Sequence, residues 1–218
     1  MNVTGRNRPL VIGLTGPIAA GKSQVAEFLA ELGAEVIDAD VVYRELITPP
    51  SPLLDQVVAH FGRGILDTSG SLDRGALAKI VFSDPDQLAA LEAITHPAVI
   101  EEVHARIARS EAEVVVNEAI RLVESGMVNH VDVRWLVVAD PEVRLQRLMA
   151  RNSLDEETAR ARLIVSQPSL PDGLTFDEVI DNSGSLEDTL AAVERAWERL
   201  PLHRARGRST EGTLRERA

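Results

Sequence analysis

The chain has 218 residues, a length typical of one large domain or of one domain that carries a substantial insert. Because 44% of the residues are hydrophobic and 26% are charged, we expect a globular fold with a sizeable core; the lack of cysteine excludes disulfides, thiolate metal sites and a thiol nucleophile. The formal charge of −11 opposes attraction to nucleic-acid phosphates. No segment approaches the roughly 18 apolar residues of a membrane span, and the first residues lack the apolar stretch of a signal peptide. We therefore expect a cytoplasmic protein without nucleic-acid or membrane partners.

The first third of the chain contains a strand–turn–helix–strand pattern. A short apolar run, Val11 to Thr15, ends at a glycine turn as a buried strand does, and Val25, Phe28, Leu29 and Leu32 then form one helical face before Gly33. A second strand, Glu35 to Ile37, leads into Asp38. This pattern predicts a βαβ unit with a parallel sheet.

Three later runs complete a predicted five-stranded parallel sheet, at Val114–Val116, Trp135–Val138 and Glu178–Ile180. Asp140 and Pro141 predict the capped start of a helix after the fourth strand. Ser185 opens a last helix whose apolar residues, from Leu186 to Leu200, are expected to cover the outer face of the sheet.

The chain between the second and third strands is too long for a loop and has helical periodicity, which predicts an inserted helical subdomain. Asp73 is the expected cap of one of its helices, and His96-Pro97 is expected to interrupt another. A smaller, charged helical insert lies between Asn152 and Gln167, where Ser153 and Glu156 have capping-box spacing.

A phosphate-binding loop of the form G-x-x-x-x-G-K-[ST] joins the first strand to the first helix. Glycine at both ends lets backbone N–H groups surround a phosphate at the helix N-terminus. Lys22 is expected to reach the β- and γ-phosphates, and the Ser23 hydroxyl to ligate Mg²⁺. The nucleotide-binding residues predicted here are Gly16, Pro17, Ile18, Ala19, Ala20, Gly21, Lys22, Ser23 and Gln24.

Carboxylates follow two of the predicted strands, where parallel sheets bind their ligands. Asp38 and Asp40 come after the second strand, and we expect only one of them to face the reacting centre, as a base or a holder of Mg²⁺-bound water. The alternative to this functional interpretation is that the aspartates only cap the N-terminus of the helix that follows. Glu118, after the third strand, is either a metal-supporting carboxylate or an ordinary surface glutamate.

Arginines surround the smaller insert, and although a single helix-face arginine is usually solvated, the group suits a closing lid that neutralises a transferring phosphoryl group. They are Arg144, Arg147, Arg151, Arg160 and Arg162. The histidines lack the spacing of a metal-hydrolase site.

Several runs in order give the chain a strong resemblance to the dephospho-CoA kinase family between about residues 10 and 200. The runs lie at residues 12–16 with the phosphate loop, 36–40, 44–46, 51–53, 61–62, 70–74, 80–82, 96–97, 124–126, 147–151 and 180–184. The resemblance implies ATP-dependent phosphorylation of the ribose 3′-hydroxyl of dephospho-CoA, the last step of coenzyme A synthesis, with Mg²⁺ as cofactor.

The resemblance also implies roles for individual residues. Asp40 matches the candidate base, Arg147 and Arg151 match lid arginines, and Asn182 lies in the segment expected beside adenine. We therefore expect Lys22, Asp40 and Arg147 to be catalytic, and Arg151 and Asn182 to bind ATP. We expect the substrate to be bound by Asp38, Arg44 and His96, and the metal to be held by Ser23 and Glu118. The chain departs from the family pattern at Pro17 in the loop and in the run after Glu118.

The resulting fold prediction is an α/β, three-layer P-loop NTPase fold with a five-stranded parallel sheet, a helical substrate-binding insert and a small helical lid. We expect a nucleotide-binding core at 1–48, 111–151 and 168–202, a helical CoA-binding insert at 49–110, a lid at 152–167 and a disordered tail at 203–218. The expected partners are ATP and dephospho-CoA alone, for a monomer or weak homo-oligomer. Two alternatives stay open: another small-molecule P-loop kinase, similar to shikimate or nucleoside monophosphate kinases, or a nucleotide-binding regulatory protein without turnover.

Overall fold

A computed structural model describes residues 8–165, 171 and 173–202 of the chain. This part contains five strands: β1 (Leu10–Thr15), β2 (Glu35–Asp38), β3 (Val114–Glu118), β4 (Val133–Val138) and β5 (Glu178–Asp181). It also contains eight α-helices: α1 (Lys22–Glu31), α2 (Ala39–Leu46), α3 (Pro52–Phe61), α4 (Arg74–Ser83), α5 (Pro85–Arg109), α6 (Pro141–Asn152), α7 (Glu156–Val165) and α8 (Leu186–Glu198). None of the helices in this part is long and apolar enough to cross a membrane.

The five strands form one sheet in the order β2-β3-β1-β4-β5. β1 pairs in parallel with β3 and β4, and β4 pairs in parallel with β5, so the predicted five-stranded parallel sheet is confirmed. Every residue of β1 and β3 is buried, as expected for the central strands of a sheet covered on both faces. From β1 the chain continues to β2 and then β3, which lie on one side of β1, and from β3 it continues to β4 on the other side of β1. The carboxyl ends of β1 and β3 therefore border the crevice where such sheets bind ligands.

The chain divides into two compact units. One is the helical unit Ile37–Arg109, and the other, the sheet unit, is formed by the chain before and after it. The helical unit begins before the predicted insert boundary because it includes α2, whose Tyr43 and Leu46 pack against an apolar cluster centred on α3 and α4. The sheet unit has its own core, in which α1 and α8 pack together beside the strands.

Three local predictions about the helices are wrong, at Pro97, Leu186 and Ser153. Pro97 does not interrupt α5, which runs through it, since Thr95, Val99 and Val103 are buried on either side and offset the backbone bond that proline removes. Leu186 is 58% exposed, so the buried face of α8 begins only at Thr189.

The third correction concerns the start of α7. Ser153 adopts a left-handed conformation that ends α6, with a φ of 50°, instead of capping α7. Asp155 caps α7 instead. Its carboxylate accepts a hydrogen bond from the backbone N–H of Thr158 at 2.8 Å and another from the Thr158 hydroxyl at 2.9 Å. The expected caps Asp140, Asp73 and Ser185 are all confirmed. The predicted tail, 203–218, and the end of the predicted lid lie outside the described residues.

Candidate active site

The phosphate loop lies between β1 and α1, as its motif predicts, and its backbone conformation requires glycine at both ends. Gly16 has a φ of 155°, and a Cβ there would lie 2.2 Å from the backbone oxygen of Val137 on the neighbouring strand β4. Gly21 has a φ of 91° and precedes α1 without any side-chain cap. Gly16 therefore lies too close to the sheet for a side chain, and the loop leaves the N-terminus of α1 open toward a ligand.

Lys22 is only 7% exposed, and its Nζ donates a hydrogen bond to the carbonyl oxygen of Gly16 at 3.0 Å. The side chain therefore folds back along the loop that it follows in sequence. An ammonium group in this position is held inside the loop, where phosphate groups bind in P-loop proteins. Pro17 lacks an N–H donor, and its carbonyl instead accepts the N–H of Ala20 at 3.2 Å.

The candidate metal-binding side chains lie next to each other. The Ser23 hydroxyl donates to Oε1 of Glu118 at 3.1 Å, and Glu118 is only 7% exposed. Parallel pairing explains the contact, because Glu118 at the end of β3 is in register with Leu14 near the end of β1. The alternative interpretation of Glu118 as a surface residue is therefore wrong.

The donor set at this point suits Mg²⁺. Mg²⁺ prefers oxygen ligands, and in nucleotide sites it takes one or two side chains together with substrate phosphates and water. Among the described residues, no group of three or more histidine or acidic side chains could hold a metal without such a substrate. A hydroxyl and one carboxylate beside a phosphate loop fit a metal that arrives with its nucleotide.

Three side chains bind the outer side of the phosphate loop through its carbonyl groups. Nε of Arg144 donates to the carbonyl oxygen of Ile18 at 3.0 Å. The carbonyl oxygen of Ala20 accepts Nδ2 of Asn182 at 2.9 Å and Nη1 of Arg147 at 3.4 Å. The loop is thus bound to α6 and to the turn between β5 and α8.

Asn182, which lies in the segment expected beside adenine, is engaged within the protein. It is 2% exposed, and its Oδ1 accepts the Thr189 hydroxyl at 2.9 Å while its Nδ2 binds Ala20. Both ends of the amide are therefore engaged within the protein. Its side chain orders the loop. A Cβ at Gly21 would lie only 2.0 Å from Nδ2 of Asn182.

Sequence reasoning grouped Arg144 with the lid arginines and gave it no role of its own. It is 5% exposed, and burial lowers the pKa of its guanidinium below its ordinary value. Its position could have been recognised, because Arg144 precedes buried Leu145 and lies one helical turn before buried Leu148, on the apolar face of α6.

Two other nucleotide-side candidates have contacts elsewhere. Nε of Arg151 donates to Oδ1 of neighbouring Asn152 at 3.2 Å, and Arg151 is exposed. The Gln24 side chain donates to Glu27 on its own helix at 3.1 Å. Within the described residues, these contacts do not connect either side chain to the phosphate loop.

The acceptor-side candidates all belong to the helical unit. Asp38 is the N-cap of α2, and its Oδ1 accepts the N–H groups of Asp40 at 2.7 Å and Val41 at 3.3 Å. The cap interpretation therefore holds for Asp38, whereas the side chain of Asp40 is exposed on the first turn of α2. Arg44 is exposed one turn later, and His96 is half-buried on α5.

A cavity of about 170 Å³ lies in the same unit, one helical turn beyond Asp40. Its walls are mostly apolar, and its polar groups are the Tyr43 hydroxyl and the Arg74 guanidinium, which lies 5.9 Å from the centre of the Tyr43 ring. Burial raises the pKa of Tyr43, with nearby Arg74 opposing the shift. The lining residues are Tyr43, Leu72, Arg74, Leu77, Ala78, Val81, Phe82 and Leu91.

Comparisons with known proteins agree with this geometry. A family model described as dephospho-CoA kinase matches residues 10–188. The dephospho-CoA kinase of Symbiobacterium thermophilum is 46% identical over 191 residues, which cover 86% of this chain and 80% of that protein. The dephospho-CoA kinase of Moorella thermoacetica is 44% identical over 200 residues, which cover 89% of this chain and 94% of that protein.

Solved structures show the same fold. The crystal structure of TT1252 from Thermus thermophilus matches with a TM-score of 0.74 at 36% identity, over 87% of this chain and 96% of that one. The dephospho-CoA kinase from Campylobacter jejuni matches with a TM-score of 0.58 at 24% identity, over 86% and 95% of the two chains.

Proposed function

The chain belongs to the dephospho-CoA kinase family, and from this premise we propose that it transfers the γ-phosphoryl group of ATP to the ribose 3′-hydroxyl of dephospho-CoA. The observation that carries the proposal is the intact phosphate loop, with buried Lys22 folded along it and Ser23 bonded to Glu118. Phosphoryl transfer depends mainly on positioning and on neutralising charge, and these groups serve both needs.

On the nucleotide side, the loop N–H groups and Lys22 bind the phosphates of ATP. Ser23 and Glu118 would hold Mg²⁺, which would supply positive charge beside the phosphates of the nucleotide. Arg147, bound to the loop carbonyl of Ala20, adds positive charge near the transferring group. Arg151 and the predicted lid approach the nucleotide when the lid closes and exclude water.

On the acceptor side, Asp40 holds the ribose hydroxyl in line and accepts its proton. The cap formed by Asp38 fixes the start of α2 and so fixes the position of Asp40. Arg44 and His96 contribute contacts to the substrate. The predicted CoA-binding insert takes the rest of dephospho-CoA, and the cavity beside Tyr43 suits it because apolar walls accept the pantetheine arm while Arg74 attracts the diphosphate.

These roles need only small-molecule partners, ATP and dephospho-CoA. A cytoplasmic location, a monomer or weak homo-oligomer and the lack of nucleic-acid binding remain predictions from the sequence.

A coupled ADP-release assay tests the proposal. Purified protein is given ATP and Mg²⁺ with dephospho-CoA, with shikimate, or with each nucleoside monophosphate, and formation of coenzyme A is followed by mass spectrometry. We expect ADP release only with dephospho-CoA. ADP release with another acceptor would favour a different small-molecule kinase, and tight ATP binding without turnover on any acceptor would favour a regulatory protein.

A further inference from the structure

Arg144 is a buried cation whose charge the described protein does not balance. It is 5% exposed, its Nε donates to the Ile18 carbonyl, and its Nη2 is buried without a hydrogen-bond acceptor. Among the described residues, no carboxylate lies within ion-pair distance of it.

Such a group is costly. A buried charge without a counter-ion destabilises a protein, and a similar-sized apolar side chain at the same place is often neutral or stabilising. Arg144 is buried on the same helix as Leu145 and Leu148, and Ile18, whose carbonyl it binds, packs against the apolar cluster of those leucines. Packing alone therefore does not explain why a cation stands at this position.

The contact with Ile18 has a consequence for the loop backbone. Peptide bonds near the loop are trans, so the carbonyl of Ile18 and the N–H of Ala19 point in opposite directions. With the carbonyl bound to Arg144 on the outer side, the Ala19 N–H points away from α6. In the described part of the chain, that N–H has no acceptor.

The carbonyl of Ala20, two residues further along the loop, has a similar arrangement. Asn182 and Arg147 bind the carbonyl of Ala20, so the N–H of Gly21 points away from them, and it too lacks an acceptor among the described residues. Ala19 has a φ of 61° and Gly21 a φ of 91°, left-handed conformations that curve the loop, and the N–H of Ala20 between them donates to the Pro17 carbonyl at 3.2 Å. Such a concave set of N–H groups binds anions.

We propose that Arg144 is a positioning residue for the polyphosphate chain of the nucleotide: it fixes the Ile18 carbonyl so that the Ala19 N–H faces the phosphates, and its buried charge is balanced only when they bind. The inference rests on the phosphate-loop part of the proposed function and does not depend on the acceptor.

Three substitutions separate the donor from the charge. Arg144→Met removes both, Arg144→Gln keeps an N–H donor without charge, and Arg144→Lys keeps charge with different donor geometry. Arg199→Gln is the matched control, because Arg199 also binds through its guanidinium, to Glu178, but on the surface. The probes are inorganic tripolyphosphate and ATP with Mg²⁺, measured by calorimetry, together with the melting temperature of the unliganded protein.

We expect Arg144→Met to weaken the binding of tripolyphosphate and of ATP by about 10- to 100-fold, the range of a lost hydrogen bond to a charged group. The melting temperature without ligand should be unchanged or higher, because an unbalanced buried charge is removed. Arg144→Gln should recover part of the affinity, and KM for ATP should rise while KM for dephospho-CoA stays constant. Arg199→Gln should bind both probes normally.

A merely structural role gives the opposite pattern. Normal binding of tripolyphosphate by folded Arg144→Met, or a lower melting temperature with unchanged affinity, would overturn the proposal. If Arg144→Met does not fold, Arg144→Gln and Arg144→Lys decide by the same two measurements, and failure of all three to fold also overturns it. Failure of the acceptor assignment leaves tripolyphosphate binding unaffected, so the two failures are distinguishable.

Discussion

At the scale of single residues, the phosphate loop combines two kinds of constraint. Gly16 and Gly21 are required because a Cβ at either place would meet protein atoms at 2.2 Å or less. The role proposed for Lys22 depends on its charge, which is held inside the loop by the bond from Nζ to the Gly16 carbonyl. The loop is thus shaped by sterics and made attractive to phosphate by charge.

Replacement of this lysine should separate catalysis from folding. Lys22→Ala is expected to lower phosphoryl transfer by about 100-fold or more, because the ammonium no longer neutralises the β- and γ-phosphates, while the fold is retained. The rate is measured by ADP release and the fold by circular dichroism. Lys79→Ala is the matched control, since Lys79 is the other lysine of the chain and is exposed on α4. A nearly normal kcat in folded Lys22→Ala would contradict the phosphate-loop assignment.

The two aspartates at the start of α2 should differ in effect. Asp40→Asn is expected to lower kcat by about 100- to 10,000-fold with little change in the Kd for ATP, because it keeps the size of the side chain and removes its charge and basicity. Asp38→Asn should be mild, since asparagine caps a helix nearly as well as aspartate. Steady-state kinetics on both variants checks the pair. An inactive Asp38→Asn beside a normal Asp40→Asn would show that the wrong carboxylate is assigned as the base.

At the scale of elements, α7 is held to the sheet unit by few strong contacts. Ala159 is fully buried and packs in a cluster with Leu145 and Leu148 of α6. The side chain of Arg160 pairs with Glu142 of α6 at 3.2 Å and with Glu156 of its own helix at 2.8 Å. Only the first pair joins α7 to another element, and exposed pairs of this kind contribute little to stability. Ile164 is 74% exposed. A helix held in this way can move at low energetic cost.

This weak attachment predicts a ligand-dependent change in α7. Its backbone amides should exchange hydrogen readily without ligand and become protected when ATP and dephospho-CoA are both bound, because an open lid must admit the substrates before it closes. Hydrogen–deuterium exchange measures the difference. Helix α8, fixed by the capping box of Ser185 and Asp188, provides an internal control that should change little. Equal protection of α7 with and without both substrates would refute its role as a lid.

At the scale of the whole molecule, charge is distributed unevenly. The chain carries a net charge of −11, yet Lys22, Arg144 and Arg147 all lie at the phosphate loop. Such local positive charge attracts a triphosphate in spite of the acidic surface elsewhere. The two compact units also divide the candidate groups, with the nucleotide side in the sheet unit and the acceptor side in Ile37–Arg109.

Ligand-linked stability should reflect that division. ATP with Mg²⁺ at about 100 times its Kd should stabilise the protein by about 2.7 kcal/mol, since binding to the folded state alone shifts the unfolding equilibrium. Lys22→Ala should lose most of that stabilisation and keep the stabilisation given by dephospho-CoA, whose candidate contacts belong to the helical unit. Thermal unfolding with each ligand separately measures both effects. Loss of both stabilisations in Lys22→Ala would contradict the separation.

Much of this protein follows from local sequence signals. The phosphate loop, the five strands and the helix starts at Asp73, Asp140 and Ser185 each depend on a few neighbouring residues, because backbone sterics, capping bonds and apolar periodicity act over short distances. For the same reason the family resemblance could be recognised from short runs.

Tertiary structure decided what depends on distant neighbours. Helix α5 continues through Pro97 because residues on both sides of it are buried, and Asp155 rather than Ser153 caps α7 because Ser153 is used to end α6. Glu118 meets Ser23 only through strand pairing. The buried charge of Arg144 and the bonds of Asn182 to the loop likewise need α6 and the β5–α8 turn packed beside it, since burial and long-range hydrogen bonds exist only once the chain has folded.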